Sequence, residues 1–288
     1  MRQTPTIGII GGSGLYLMSG LVDIQQLDID TPFGKPSAPI ITGTLDGVDL
    51  AFLARHGIGH HISPSEIPFR ANIYALKSIG VERIVSISAC GSLREDYAPG
   101  EIVIPDQLFD FTRCRQRTFF EDGLVVHISV ADPFCLELSQ HIYQAVQSTG
   151  GIGHYGGAFI TIEGPRFSTK AESNTFRAWG MSIIGMTTSP EAYLAREAEM
   201  CYGVMAHVTD YDVWHTSEEP VSVEMVIEIL NRNTHLAQEA LTHLVRALPE
   251  ERSCNCSNAL ASALITQPER IPAETRQRLS ILVDKYVK

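Results

Sequence analysis

Two aspartates, Asp210 and Asp212, stand two residues apart where an apolar run gives out. The run, Tyr202-Gly203-Val204-Met205-Ala206, reads as a buried strand. In extended backbone residues i and i+2 face one side, so both carboxyls would meet a single ligand just past the strand's carboxyl end. Open α/β sheets place their sites there. A protonated carboxyl donates a hydrogen bond and a carboxylate accepts one. Such a pair matches N7 and the exocyclic amino group of a purine edge. The plainer reading is a solvated loop with an aspartate capping the next helix. The five residues from Val208 to Asp212 do not by themselves separate the two.

Three more stretches carry residue types suited to an anion. Gly11-Gly12-Ser13-Gly14 follows the apolar run Ile7-Gly8-Ile9-Ile10 and lets backbone N–H groups approach closely. It is not a dinucleotide fingerprint, because the third glycine position is Leu17, and no Gly-Lys-Ser/Thr follows. Arg55-His56, in a Gly-rich turn after Val48 to Ala54, offers a cation and an imidazole; the competing reading is a basic surface loop. Ser88-Ala89-Cys90-Gly91-Ser92 closes another apolar run with small residues; Cys90 reads as a buried thiol ahead of a nucleophile.

The elements that must hold these residues alternate. Strands are expected near 6–10, 39–45, 48–54, 83–89, 101–105, 156–162, 181–185 and 202–206. Helices are expected near 69–76, 135–146, 170–179, 190–198 and 222–248. Asp46-Gly47 between two apolar runs predicts a two-residue hairpin. Residues 111–127 read as a long irregular stretch carrying Arg113, Arg115, Arg117 and His127, of the kind found at subunit contacts. Residues 249–258 read as a polar linker and 272–286 as a final amphipathic helix. Short strands alternating with helices predict an α/β sheet with no clear domain boundary.

The 288 residues suffice for one large core, with 44% hydrophobic and 19% charged content. A net charge of −11, from 22 basic and 33 acidic residues, argues against a nucleic-acid partner. Any anion site must therefore be made locally. Met1-Arg2-Gln3-Thr4-Pro5 lacks a signal peptide's apolar segment, and no apolar run is long enough to span a membrane, so a cytoplasmic protein is expected. The six cysteines show no Cys-x-x-Cys and no metal-like cluster with histidine. Cys254-Asn255-Cys256 reads as two incidental thiols in a tail; a bridge across one residue would be strained.

Taken together, Gly11-Gly12-Ser13-Gly14-Leu15, Thr31-Pro32-Phe33-Gly34, Ala54-Arg55-His56-Gly57, Ala89-Cys90-Gly91-Ser92-Leu93, Glu163-Gly164-Pro165-Arg166-Phe167-Ser168 and Met186-Thr187-Thr188 resemble the trimeric purine nucleoside phosphorylases. Thr209-Asp210-Tyr211-Asp212 looks like the branch acting on 5′-methylthioadenosine. The resemblance covers most of 6–247 and fits the tail from 250 poorly. It implies one α/β domain over 1–288, with a central mixed, distorted sheet flanked by helices. It also implies phosphorolysis of 5′-methylthioadenosine to adenine and 5-methylthioribose 1-phosphate, with phosphate as co-substrate, no cofactor, no metal, and trimers or hexamers.

Breaking the N-glycosidic bond leaves an oxocarbenium-like sugar and an electron-rich base. By the resemblance, phosphate is held beneath C1′ by Ser13, Arg55, His56, Ser88, Ala89 and Thr187. Met186 meets the ribose, while Phe167 and Ser168 meet the base. Asp210 protonates N7 as general acid, and Asp212 accepts from the 6-amino group. Val223, Val226 and His127, the last from a neighbouring subunit, form the 5′ pocket. Three rivals are a 6-oxopurine or methylthioinosine phosphorylase, a nucleosidase using water, and a non-catalytic purine-binding module.

Overall fold

The computed structural model describes residues 6–12, 14–215 and 223–287, with side chains throughout except at 223–233. Among these residues one sheet of eleven strands forms the centre. The strands are β1 (Ile7–Gly11), β2 (Val22–Leu27), β3 (Ile40–Leu45), β4 (Val48–Ala54), β5 (Arg83–Ser92), β6 (Ile102–Ile104), β7 (Gln107–Phe111), β8 (Gly153–Tyr155), β9 (Ala158–Ile162), β10 (Ile183–Gly185) and β11 (Cys201–Asp210). The helices are α1 (Phe69–Ser78), α2 (Leu136–Ser148), α3 (Lys170–Ala178), α4 (Thr188–Glu197), α5 (Val223–Ala247), α6 (Ala273–Arg278) and α7 (Ser280–Val283).

Side-chain alternation along the central strands builds two cores. On β11, Tyr202, Val204, Ala206 and Val208 join Ile84 of β5 in a core that includes Ile73 of α1 and Leu194 of α4. Cys201 and Met205 face the other way, with Val85 and Ile87, toward Leu138 of α2 and Leu241 of α5. The sheet is therefore covered on both faces, as parallel central strands require.

The sheet order β2-β3-β4-β1-β5-β10-β9-β7 has β11 on the free edge of β5, followed by β6 and β8. Pairing is mixed: β1, β4, β5 and β11 run parallel, whereas β10 is antiparallel to β5. Along one edge β5 pairs with β1 as far as Ser86 and with β10 from Gly91. Between them, at Ile87 to Cys90, that edge has no sheet partner among the described residues. The sheet forks there, and Ser88 and Ala89 lie in the fork.

The tail corrects three expectations. Residues 249–258 are not a linker: Arg83 Nη2 donates to Pro249 O (2.9 Å), and Arg252 Nη1 donates to Glu199 O (3.0 Å). The single final helix is two short ones, α6 and α7, broken at Leu279. Leu260, Leu279 and Val283 are fully buried in the same core as α1, so the tail belongs to the one domain. Nor are its thiols incidental. The sulfurs of Cys135, Cys201, Cys254 and Cys256 lie within 4.8 Å of one another. They come from three segments far apart in the chain, so sequence spacing held no sign of the cluster.

Candidate active site

The Asp pair forms, by a different device than strand alternation. β11 pairs Val208 with Cys90 and Asp210 with Gly91, so Thr209 is an extra residue in a bulge. Asp210 is the last strand residue, and Asp212 lies beyond it in a turn at φ +52°. The Asp212 N–H donates to Asp210 Oδ1 (2.7 Å), which closes an Asx turn. Both residues are buried, at 8% and 9% exposure. Burial pushes Asp210 up to about 6, and burial raises Asp212 as well. Thr209 Oγ1 lies 2.6 Å from Asp210 Oδ2 and 3.2 Å from Cys90 O. Its single proton can go to either, so Asp210 can be held as carboxylate or as acid.

Gly91 makes this approach feasible. A Cβ there would meet Asp210 Oδ1 at 2.9 Å, Ile184 at 3.1 Å and the Asp212 Cβ at 3.2 Å. Beyond the turn, Trp214 Nε1 donates to Ser92 O (2.7 Å) and pins the segment to β5. Asp212 Oδ2, Ser88 Oγ, Ser168 Oγ and Thr188 Oγ1 are all buried with no hydrogen-bond partner. Buried polar groups are ordinarily satisfied. These four stand within β5 (Ser88), beyond the ends of β10 (Thr188) and β11 (Asp212), and just before α3 (Ser168).

Of the residues expected around an anion, Arg55 and His56 follow β4, and Ser88 and Ala89 lie within β5. The Arg55 N–H donates to Gly11 O (3.0 Å) and so ties the Gly-rich turn to Arg55. The Arg55 guanidinium departs from the open cation that the sequence suggests. Its Nε contacts both Glu191 oxygens at 2.9 and 3.0 Å, Nη1 donates to Ile87 O, and Nη2 reaches Ser86 Oγ and Ile10 O. Four of its five N–H groups are committed and its charge is neutralised by a carboxylate on α4. His56 is also no cation: burial lowers it to about 4, and Nδ1 lies 2.9 Å from Ile62 O. Ser88 is buried and Ala89 half-buried in the fork of the sheet. Thr187 is buried at the N-cap of α4, with no capping bond from its side chain. Cys90 is buried and pushed well above the usual thiol range, so it is no nucleophile.

The turn at Glu163 and the segment around Met186 are braced by Arg115, which sequence reading placed only in an irregular basic stretch. Its Nη1 donates to Met186 O (2.6 Å) and Ser189 O (2.7 Å), and its Nη2 donates to Glu163 O (2.7 Å). It thereby locks Met186 against the turn at Glu163. Gly164 adopts φ +68°, and a Cβ there would strike Met186 Sδ at 2.6 Å. Ser168 is buried and Phe167 is 40% exposed, just ahead of α3. Thr169 caps that helix in a reciprocal bond pair with Glu172. Glu191 and Gly91 were given no role for the same reason as Arg115: Arg55 lies 136 positions from Glu191, and Asp210 and Asp212 lie far along the chain from Gly91.

Ser13 and the side chains of Val223 and Val226 lie outside the described residues. His127 stands apart from the rest: it is exposed, and its N–H donates to Ala263 O (2.9 Å) on the tail. No helix among the described residues is long and apolar enough to cross a membrane.

The sequence model of the phosphorylase superfamily matches residues 6–246. A protein of Geobacter sulfurreducens named S-methyl-5′-thioadenosine phosphorylase is 52% identical over 98% of this chain and 99% of its own. One of the same name from Chloroflexus aurantiacus is 50% identical over 99% of each. Among solved structures, a methylthioadenosine phosphorylase from an antarctic soil metagenomic library superposes with a TM-score of 0.94 at 46% identity, over 98% of this chain and 100% of that one. The Schistosoma mansoni methylthioadenosine phosphorylase in complex with adenine gives 0.83 at 37% identity, over 90% and 98%. The relatives span the tail as well, which the sequence resemblance had left poorly covered.

Proposed function

The chain belongs to the phosphorylase superfamily, and from that premise we propose that it cleaves 5′-methylthioadenosine with phosphate, releasing adenine and 5-methylthioribose 1-phosphate. The observation that carries the reading is the buried Asp210 carboxyl, pushed up to about 6 beside the unpartnered Asp212 Oδ2. An acid of that kind can give its proton to N7 as the bond to C1′ breaks, while Asp212 accepts from the 6-amino group.

Around that pair, Ser168 Oγ offers a further bond to the base, Phe167 stacks on it, and Met186 supports the ribose. Ser88 Oγ, the Ala89 N–H, Thr187, Ser13, neutral His56 and the remaining Arg55 N–H hold phosphate beneath C1′. The Arg55–Glu191 pairing suits this role. Neutral donors position the phosphate without cancelling its charge, which is then free to stabilise the oxocarbenium-like sugar. Val223, Val226 and a neighbouring subunit's His127 close around the methylthio group, in a trimer or a dimer of trimers. No cofactor and a cytoplasmic setting go with the proposal.

The test is chromatography of 5′-methylthioadenosine incubated with the protein. Adenine released only when phosphate is present is expected. Release in its absence assigns a hydrolase, and no release in either case removes the proposal.

A further inference from the structure

The four clustered thiols lie at the far end of β11 from Asp210. A ten-residue strand separates Cys201 from Asp210, roughly 30 Å at a strand's rise per residue. They serve no step of the reaction above. Cys135 caps α2, Cys201 opens β11, and Cys254 and Cys256 sit at a short turn over Asn255–Asn258.

We propose that Cys135, Cys201, Cys254 and Cys256 form a closed structural site for one Zn²⁺, with four thiolate ligands, that staples the C-terminal tail to the sheet. The sulfurs are placed for it. All lie within 4.8 Å of one another, and Cys201 and Cys254 Sγ are 3.3 Å apart. A tetrahedral set at about 2.3 Å from zinc has sulfur–sulfur edges of about 3.8 Å, so small shifts close the shell. Among the described residues the cluster offers sulfur ligands alone, and four thiolates in a closed tetrahedron are a donor set of structural zinc.

The backbone holds these positions independently of any ion. The Cys135 N–H donates to Tyr202 O and the Cys201 N–H to Glu82 O, both at 2.9 Å. On the tail, Ser253 Oγ donates to Glu137 Oε2 at 2.8 Å, ahead of the Cys-x-Cys turn. The charge balance points the same way. Arg196 Nη1 lies 3.4 Å from Cys256 Sγ, and its Nε is buried without a partner. Four thiolates around a dication carry a net −2, which gives that guanidinium a counter-charge. Two disulfides would be neutral, and one closed across the single residue between Cys254 and Cys256 would be strained. Zinc binding releases the thiol protons and changes no oxidation state.

The test begins with protein purified without added metal, chelator or thiol reductant. Elemental analysis should find one zinc per chain. Alkylation of the stripped, denatured chain without reductant should add six labels by intact mass, four from the cluster and one each from Cys90 and Cys114. Titrating the stripped, reduced chain with Co²⁺ should saturate at one equivalent with thiolate-to-cobalt charge-transfer absorption, which one equivalent of Zn²⁺ displaces. Zinc should also raise the melting midpoint of the stripped chain. The double variant Cys254→Ser/Cys256→Ser should lose the cobalt signal; if it does not fold, the wild-type titration decides alone. Two disulfides in the isolated chain, or no saturable cobalt binding by the reduced chain, overturns the proposal.

Discussion

At the scale of single residues, burial raises two carboxyls of one turn, Asp210 and Asp212. Asp210 is raised to about 6 by burial, so the free enzyme's acid is protonated below that pH and lost above it. Accordingly kcat/KM for 5′-methylthioadenosine should fall about tenfold per pH unit above 6, beyond the titration of phosphate itself. Asp210→Asn should lose roughly 10²–10⁴ in turnover and retain only the phosphate-borne pH dependence. Rate profiles of the two proteins check both statements; matching profiles would remove the acid role. Asp212→Ala should lower the preference for 6-amino over 6-oxo purine nucleosides by about tenfold or more, because the partner of the amino group is gone. Paired kcat/KM values measure it. These two residues were legible in the sequence because carboxylates are conspicuous after an apolar strand. The bulge at Thr209 and the turn at Asp212 were not, because only pairing with Cys90 and Gly91 reveals the extra residue. Arg55 was found without its partner: a strand-end arginine advertises a cation, and nothing nearby announces Glu191, 136 positions on.

At the scale of elements, β5 organises the site by changing partners along its length. It runs with β1 to Ser86, opens at Ser88 and Ala89, and meets β10 at Gly91 opposite Asp210. Gly91→Ala tests that geometry. Its Cβ, 2.9 Å from Asp210 Oδ1, must push the carboxyl or the strand aside. The expected outcome is a loss of about 10²-fold in kcat/KM with about 1–3 kcal/mol of stability, from steady-state kinetics and denaturant unfolding. Much of this layer was readable. Asp46-Gly47 does join β3 to β4, the helices at 69 and 170 start where expected, and residues 112–127 are irregular. The edge strands β2 and β7 and the short β8 escaped notice, because half-exposed strands lack the dense apolar run that marked β5 and β11. How the strands order and fork is a tertiary fact with no local signal.

At the scale of the whole molecule, one domain carries the site at one end of β11 and the thiol cluster at the other. The tail that looked like a linker and a helix packs under α1, because Leu260, Leu279 and Val283 need a core that only distant residues provide. His127 is exposed and held by this tail. Its assignment to a neighbour's 5′ pocket therefore requires an oligomer. Sedimentation should show a trimer or hexamer, and a monomer at working concentration would rule out that role. The measurement that goes most directly to phosphorolysis is ³¹P NMR of the protein with 5′-methylthioadenosine and inorganic phosphate. The account predicts a new sugar phosphate ester resonance growing in step with adenine. Adenine accumulating while all phosphorus stays inorganic would contradict it.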